Sequence, residues 1–263
     1  MITFSDLDRT IIYSNKFLDT DKEYKCIETY KDKEISYISL DTIKYIKEIQ
    51  ENTLFIPTTT RTVEQFQRIN FQENKIVFPW AITSNGGCIL KDNKILKSWS
   101  DKVEKIKANS EPIKNMVDEF KQYIKLPYVT NFKVVEELFF YIVVEKDKFN
   151  IKDLDDYIEK LDFWNWSFYI SGRKIYFLPR GITKENAIDY IINELGVSDF
   201  IAIGDSNMDA GMLKMAGTSY LLKHGDAVGN NIGNHCIVTD CEGMEGTEEV
   251  LLSILERNTE KSI

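Results

Sequence analysis

The stretch FSDLDRT, residues 4–10, places two carboxylates, Asp6 and Asp8, one residue apart, just past an apolar start where Ile2 and Phe4 share one face of a short strand. Like charges so close gain nothing by packing. Two more polar clusters follow apolar runs, Thr58, Thr59, Thr60 and Arg61 after LFIP and Asp205, Ser206, Asn207 and Asp209 after FIAIG, and Lys184 stands at the head of a helix. Gathered in one place, Asp6, Asp8 and Asp205 concentrate negative charge that a hard divalent cation relieves. Mg²⁺ accepts a few carboxylates and completes its shell with water and phosphate oxygens. A Thr59 hydroxyl and the Lys184 ammonium could hold the remaining oxygens of a phosphoryl group. A carboxylate in line with that group can attack it, and a second can move protons.

Such convergence requires elements that end at one edge. Residues 1–5, 54–57, 77–83, 200–203, 220–222 and 237–238 read as short strands. Helices are expected over 39–50, 63–69, 183–195, 208–215 and 247–256, with Ile188, Ile191, Ile192 and Leu195 recurring at helical spacing. This alternation implies a parallel sheet covered on both faces, and in such sheets ligands bind at the carboxyl ends of the strands. The middle differs. A hairpin is expected over 88–99 around Asp92-Asn93, helices near 101–109, 112–125 and 151–161, and strands over 132–135, 138–145, 167–170 and 174–178. The expected organisation is an α/β core of residues 1–84 and 180–263, interrupted by an α+β unit over 85–179. The boundaries lie at Asn85-Gly86-Gly87 and Pro179-Arg180-Gly181.

With 263 residues, 43% hydrophobic and 29% charged, the chain can bury a large core. A net charge of −9 without a basic block argues against a nucleic-acid partner. The apolar run at 138–144 is too short to span a bilayer, and no secretory leader is visible, so a cytoplasmic location is expected. Cys26, Cys88, Cys236 and Cys241 read as reduced thiols, and a zinc site at His235, Cys236 and Cys241 lacks a CxxC pair. Oligomeric state is left open.

In their order, FSDLDRT, TTTR, the lysine of GITKENA and GDSNMDAGML resemble the four motifs of the haloacid dehalogenase superfamily of phosphatases. The insertion between the second and third motifs, TSNGG at 83–87, GDAVGNNIGN and CEGMEGTEEVL resemble the Cof-type and sucrose-phosphatase-like branch. The resemblance implies a Rossmann-like core with an inserted α/β cap, Mg²⁺ as cofactor, and a small phosphorylated metabolite, such as a sugar phosphate, as substrate. It implies that Asp6 is the nucleophile and a metal ligand. Asp8 is implied as general acid/base, its carbonyl also on the metal. Thr59 and Lys184 are implied phosphate binders. Asp205 is an implied metal ligand, and Asp209 supports the metal through water or Lys184. Keeping Asp8 argues for a phosphatase or mutase, against a dehalogenase or a transport ATPase.

Three positions depart from the family pattern: Thr60 and Arg9 stand where many relatives have glycine, and Met208 where Asn precedes the last Asp. Arg61 and Thr60 are candidates for substrate contact, Arg61 equally for pairing with an acid. Asn85 either touches substrate or shapes a turn, and Arg180 either reaches a substrate anion or is an exposed hinge residue. The aromatic stretch Phe163 to Tyr169 suits a sugar site or a core. Two other functions stay open: a phosphomutase, and a phosphate-binding regulatory module with weak turnover.

Overall fold

The computed structural model describes residues 2–18 and 21–260. The chain opens with β1 (Ile2–Ser5), a hairpin of β2 (Tyr24–Tyr30) and β3 (Lys33–Ser39), then α1 (Leu40–Gln50), β4 (Leu54–Pro57), α2 (Val63–Gln67), β5 (Trp80–Thr83), β6 (Cys88–Lys91) and β7 (Lys94–Ile95). Next come α3 (Lys97–Ala108), α4 (Ile113–Phe120), β8 (Val129–Val135), β9 (Phe139–Val144), α5 (Asp155–Ile158), α6 (Leu161–Trp164), β10 (Trp166–Ser171) and β11 (Lys174–Pro179). The last part holds α7 (Lys184–Leu195), β12 (Ile201–Gly204), α8 (Ala210–Met215), β13 (Thr218–Leu221), β14 (Cys236–Val238) and α9 (Gly243–Glu260).

Five strands form a parallel sheet in the order β14-β13-β12-β1-β4. Successive side chains leave opposite faces of a strand, and both faces here are apolar. Phe4, Ile56 and Ala202 pack on one face with Ala187, Ile188 and Ile191 of α7 and Met212 and Leu213 of α8. Phe55, Ile201 and Ile203 pack on the other with Ile43, Ile46 and Ile49 of α1 and Val250, Leu251 and Ile254 of α9. Ser39 and Thr183 start α1 and α7 by accepting the amides of Thr42 and Asn186 on their hydroxyls. The order reverses at β1, flanked by β12 and β4, so the ends of these three strands form a crevice at a topological switch point.

A second, antiparallel sheet runs β10-β11-β9-β8. One face carries Phe140, Ile142, Ile175 and Phe177 under Met116 and Phe120 of α4, with Tyr157 and Leu161. The other face looks towards the carboxyl ends of the parallel sheet and lines a cavity with Lys133, Tyr141, Lys174 and Tyr176. Both turns of this sheet touch the parallel-sheet part. In the β8–β9 turn, Glu136 accepts the Val63 amide at 3.1 Å and the Ser84 hydroxyl. At the β10–β11 turn, the Gly172 amide donates to Asp226, which also accepts the Asn207 amide at 2.8 Å.

Several sequence expectations are corrected. The β2–β3 hairpin is not foreseen. Its turn is made by Lys31 and Asp32, both at positive φ, without the Asn-Gly or Asp-Gly pair that announces such a turn. The strand expected from residue 77 begins only at Trp80, after Pro79, with Val77 exposed. The second arm of the hairpin around Asp92-Asn93 stops at Ile95, because Lys97 already starts α3. The helix expected over 151–161 is three short pieces. Ile89 and Leu90 of β6 pack in the two clusters of the parallel sheet, so the turn at Asn85 lies inside a hairpin of that part.

Candidate active site

Asp6 follows β1, Asp205 follows β12, and Asp209 sits in the turn leading to α8. One carboxylate oxygen from each lies within 4.8 Å of the others. All three are buried. Lys184, 1% exposed, reaches between two of them, its Nζ donating to Asp6 Oδ1 at 2.7 Å and to Asp209 Oδ1 at 2.6 Å. Burial opposes its charge, yet the two carboxylates outweigh it and hold the ammonium well above its ordinary range.

The three acids differ in what they have left to offer. Asp209 Oδ2 accepts the Asp205 and Ser206 amides and the Ser206 hydroxyl at 2.7 Å, so both its oxygens are engaged. It organises the loop and the lysine. The asparagine that Met208 replaces is thus not needed to satisfy Asp209; Met208 is buried in the apolar cluster instead. Gly204 is required by this arrangement, because a Cβ there would stand 2.5 Å from Asp209 Cβ. Asp6 Oδ2 keeps one weak donor, the Thr10 hydroxyl at 3.2 Å, and the Asp205 carboxylate faces Arg9 Nη1 at 3.5 Å. Burial, then neighbouring acids, push these two carboxyls up, Asp6 to about 7 despite Lys184 and Asp205 to about 8. A buried pair of under-compensated carboxylate oxygens fits a hard divalent cation, and Asp6 and Asp205 are the residues able to ligate it directly.

Asp8 points into the cavity, half-exposed, and is gripped by Arg61 through Nε to Oδ2 and Nη2 to Oδ1, both at 2.8 Å. Arg61 continues to the buried Glu28, Nη1 to Oε2 at 2.7 Å. Glu28 also accepts Ser36 Oγ at 2.6 Å and Arg68 Nη2 at 2.7 Å. Irregular β2–β3 pairing on both sides of Glu28 accompanies its inward placement. Glu28 and Arg68 escaped sequence reasoning, because the hairpin that carries Glu28 had no turn signature.

Thr60 lines the cavity. Thr59 is fully buried and accepts the Arg61 amide at 3.2 Å, leaving its hydroxyl proton to donate. Arg9 has φ +63, the left-handed region where glycine is at ease, which is why glycine suits this position. The strain is held by contacts. His224 Nδ1 accepts the Gly243 amide, so Nε2–H donates to the Arg9 carbonyl at 2.8 Å, and Arg9 Nη2 returns to the His224 carbonyl at 3.0 Å. Its guanidinium also lies 4.9 Å from the Phe17 ring centre. Thr59, Lys184 and Asp209 lie behind the cavity lining, and Asn85 and Arg180 also fall outside it. Asn85 is buried in the turn after β5, its amide donating to the Thr59 carbonyl at 3.0 Å. Arg180 pairs with Asp162. Of the aromatic stretch, Trp166 is buried in the helix-covered cluster and Phe163 is exposed. Among the described residues His235, Cys236 and Cys241 form no metal-binding group.

The cavity facing these groups measures about 540 Å³. Among the described residues no helix is long and apolar enough to cross a membrane.

Comparison with solved structures agrees with the architecture. A Synechocystis sucrose-phosphatase, in complex with sucrose and phosphate, superposes with a TM-score of 0.69 at 12% identity over 97% of both chains. A trehalose-6-phosphate phosphatase related protein gives 0.59 at 14% identity, covering 99% of this chain and 100% of the other. A haloacid dehalogenase-like hydrolase from B. subtilis gives 0.59 at 12%, covering 95% and 98%. At such identities the likeness establishes the fold: a haloacid dehalogenase core with an inserted α+β cap. No curated protein is matched by the sequence. The family model of haloacid dehalogenase-like hydrolases matches residues 101–243, more than half of the chain, and the chain belongs to that family.

Proposed function

We propose that the protein is a Mg²⁺-dependent phosphatase of a small phosphorylated metabolite. The observation that carries this reading is the buried set of Asp6, Asp205, Asp209 and Lys184, of which Asp6 and Asp205 line the cavity. The sucrose- and trehalose-phosphatase names among the structural neighbours support a sugar phosphate.

Asp6 and Asp205 would hold Mg²⁺, which when bound neutralises phosphoryl charge. An Asp6 oxygen attacks phosphorus, the phosphorus–oxygen bond to the leaving group breaks, and Asp8 gives that oxygen its proton. Asp8 then takes a proton from water as the water oxygen attacks the aspartyl phosphate. This frees Asp6 and inorganic phosphate. Lys184 and Thr59 hold the non-bridging oxygens, with Thr60 lining the approach. Arg61 orients Asp8. The division into 1–84 with 180–263 and an inserted 85–179 belongs to the same proposal, with the β6–β7 hairpin staying on the parallel-sheet part. Phosphate release from a panel of phosphorylated metabolites, with Mg²⁺ and with chelator, tests the reading. Turnover is expected to vanish with chelator and in Asp6→Asn; undiminished turnover in that variant would remove Asp6 as nucleophile.

A further inference from the structure

We infer that the leaving group of the substrate carries a second anionic group, a carboxylate or another phosphate, bound by Lys133 and Lys174. The inference rests on the phosphatase reading and adds the chemical class of what is released.

The argument begins with the pleat. Along β8, β9 and β11 alternate residues face the helices, and those between face the cavity. Cross-strand register puts Lys133 opposite Tyr141, and Tyr141 opposite Tyr176, in one row over three strands. Lys174 lies two residues from Tyr176 on the same face, so the two lysines stand on the strands that flank Tyr141 on either side. The Lys174 ammonium is 5.2 Å from the Tyr141 ring centre and 5.9 Å from that of Tyr176.

Neither lysine forms an ion pair among the described residues; the Lys174 charge reaches Asp8 only through space. The acids of the cavity are committed elsewhere: Asp8 to Arg61, Glu28 to Arg61 and Arg68, Asp226 to two backbone amides, and Asp6 and Asp205 to the metal-binding end. The transferred phosphoryl group has its own holders in Lys184, which pairs with Asp6, and in Thr59, just after β4. A neutral sugar ring would need hydroxyl-directed donors and acceptors there and gains little from two free cations. A leaving group with its own anion meets both lysines while its phosphoryl group meets Asp6. Sucrose, bound with phosphate in the structurally similar Synechocystis sucrose-phosphatase, is uncharged, so the inference separates this chain from that neighbour.

Matched substrates test it: phosphoglycerate against glycerol phosphate for the carboxylate, and fructose bisphosphate against fructose monophosphate for the phosphate. With Mg²⁺, kcat/KM is expected to favour one anionic member over its neutral partner by about tenfold or more, and the responding pair names the anion. In the Lys133→Gln, Lys174→Gln double variant that ratio is expected to fall to about one. Calorimetric binding of the same four compounds to Mg²⁺-loaded Asp6→Asn reads the preference without turnover. Equal treatment of anionic and neutral members, or a preference that survives in the double variant, overturns the inference. The phosphatase reading fails separately, when neither these compounds nor p-nitrophenyl phosphate release phosphate.

Discussion

Arg61 holds both carboxylate oxygens of Asp8 at 2.8 Å. Burial alone would raise the Asp8 carboxyl, but the Arg61 hydrogen bonds and charge hold it below the usual carboxylate range. An acid so held gives up its proton readily and recovers it from water less readily. Asp8→Asn is expected to cost about 100-fold or more in kcat/KM, which reads only the step up to aspartyl-phosphate formation, on an alkyl phosphate, and far less on p-nitrophenyl phosphate, whose leaving group needs no proton. Equal losses on both would show that Asp8 moves no proton to the leaving oxygen. In Arg61→Met the Asp8 carboxyl rises, so the alkaline limb of the rate profile for the alkyl phosphate is expected to move to higher pH as kcat falls.

Metal-free protein is expected to lose stability as pH rises. Asp6 and Asp205 are raised to about 7 and about 8, above their unfolded values, so the folded state binds more protons than the unfolded one between about 4 and 8. Their contribution is full below the unfolded pKa and is lost as pH climbs through the folded one. Thermal melts from pH 5 to 8.5 in chelator should show a falling Tm from this pair. Added Mg²⁺ should raise Tm more at pH 8.5 than at pH 6, since the ion competes with those protons. A Mg²⁺ effect that shrinks with rising pH would remove the pair as ligands.

Gly86 stands at φ +93, and a Cβ there would lie 2.0 Å from the carbonyl oxygen of Thr183, the residue before Lys184. The Gly86 carbonyl also accepts Trp99 Nε1–H at 2.9 Å. Gly86→Ala is therefore expected to cost about 3 kcal/mol in chemical denaturation, through backbone strain and displacement of the α7 start. Because that displacement carries Lys184, kcat should fall as well. An alanine variant of unchanged stability would mean the turn can part from α7.

Arg9→Gly tests the cation beside Asp205. The guanidinium repels an ion at Asp6 and Asp205 across a partly solvated gap, so its removal is expected to tighten Mg²⁺ binding about threefold at pH 9. That pH lies above the raised carboxyls and excludes proton competition. Weaker binding, measured by calorimetry, would make Arg9 a support for the metal site.

The acids and the threonines were legible because each follows a short apolar run, and a parallel sheet converts such positions into neighbours; Lys184 was legible from its place at the head of an amphipathic helix. β1, β4 and α1 were legible for the same reason: Phe4, Phe55, Ile56, Ile43 and Ile46 carry strong periodic burial. Glu28 was not. Its role depends on an irregular strand pairing and on a turn of Lys31 and Asp32, and neither leaves a mark in residue types. Arg180 and Asn85 were drawn in by their place beside motifs. In the structure the first pairs with Asp162 and the second is buried in the turn after β5. The unusual Arg9 became intelligible only through its φ, a quantity that glycine elsewhere hints at and arginine conceals.

The two-sided sheet of β8 to β11 keeps its tasks apart at single-residue spacing. Phe140, Ile142, Ile175 and Phe177 hold the helices, while Lys133, Tyr141, Lys174 and Tyr176 face the cavity. Exchanging Lys133 or Lys174 for another polar residue disturbs no atom of the helix-covered cluster. Selection can thus rewrite what this hydrolase accepts without first having to stabilise it, and a drift in substrate leaves the fold's own code untouched on the neighbouring positions of the same strands.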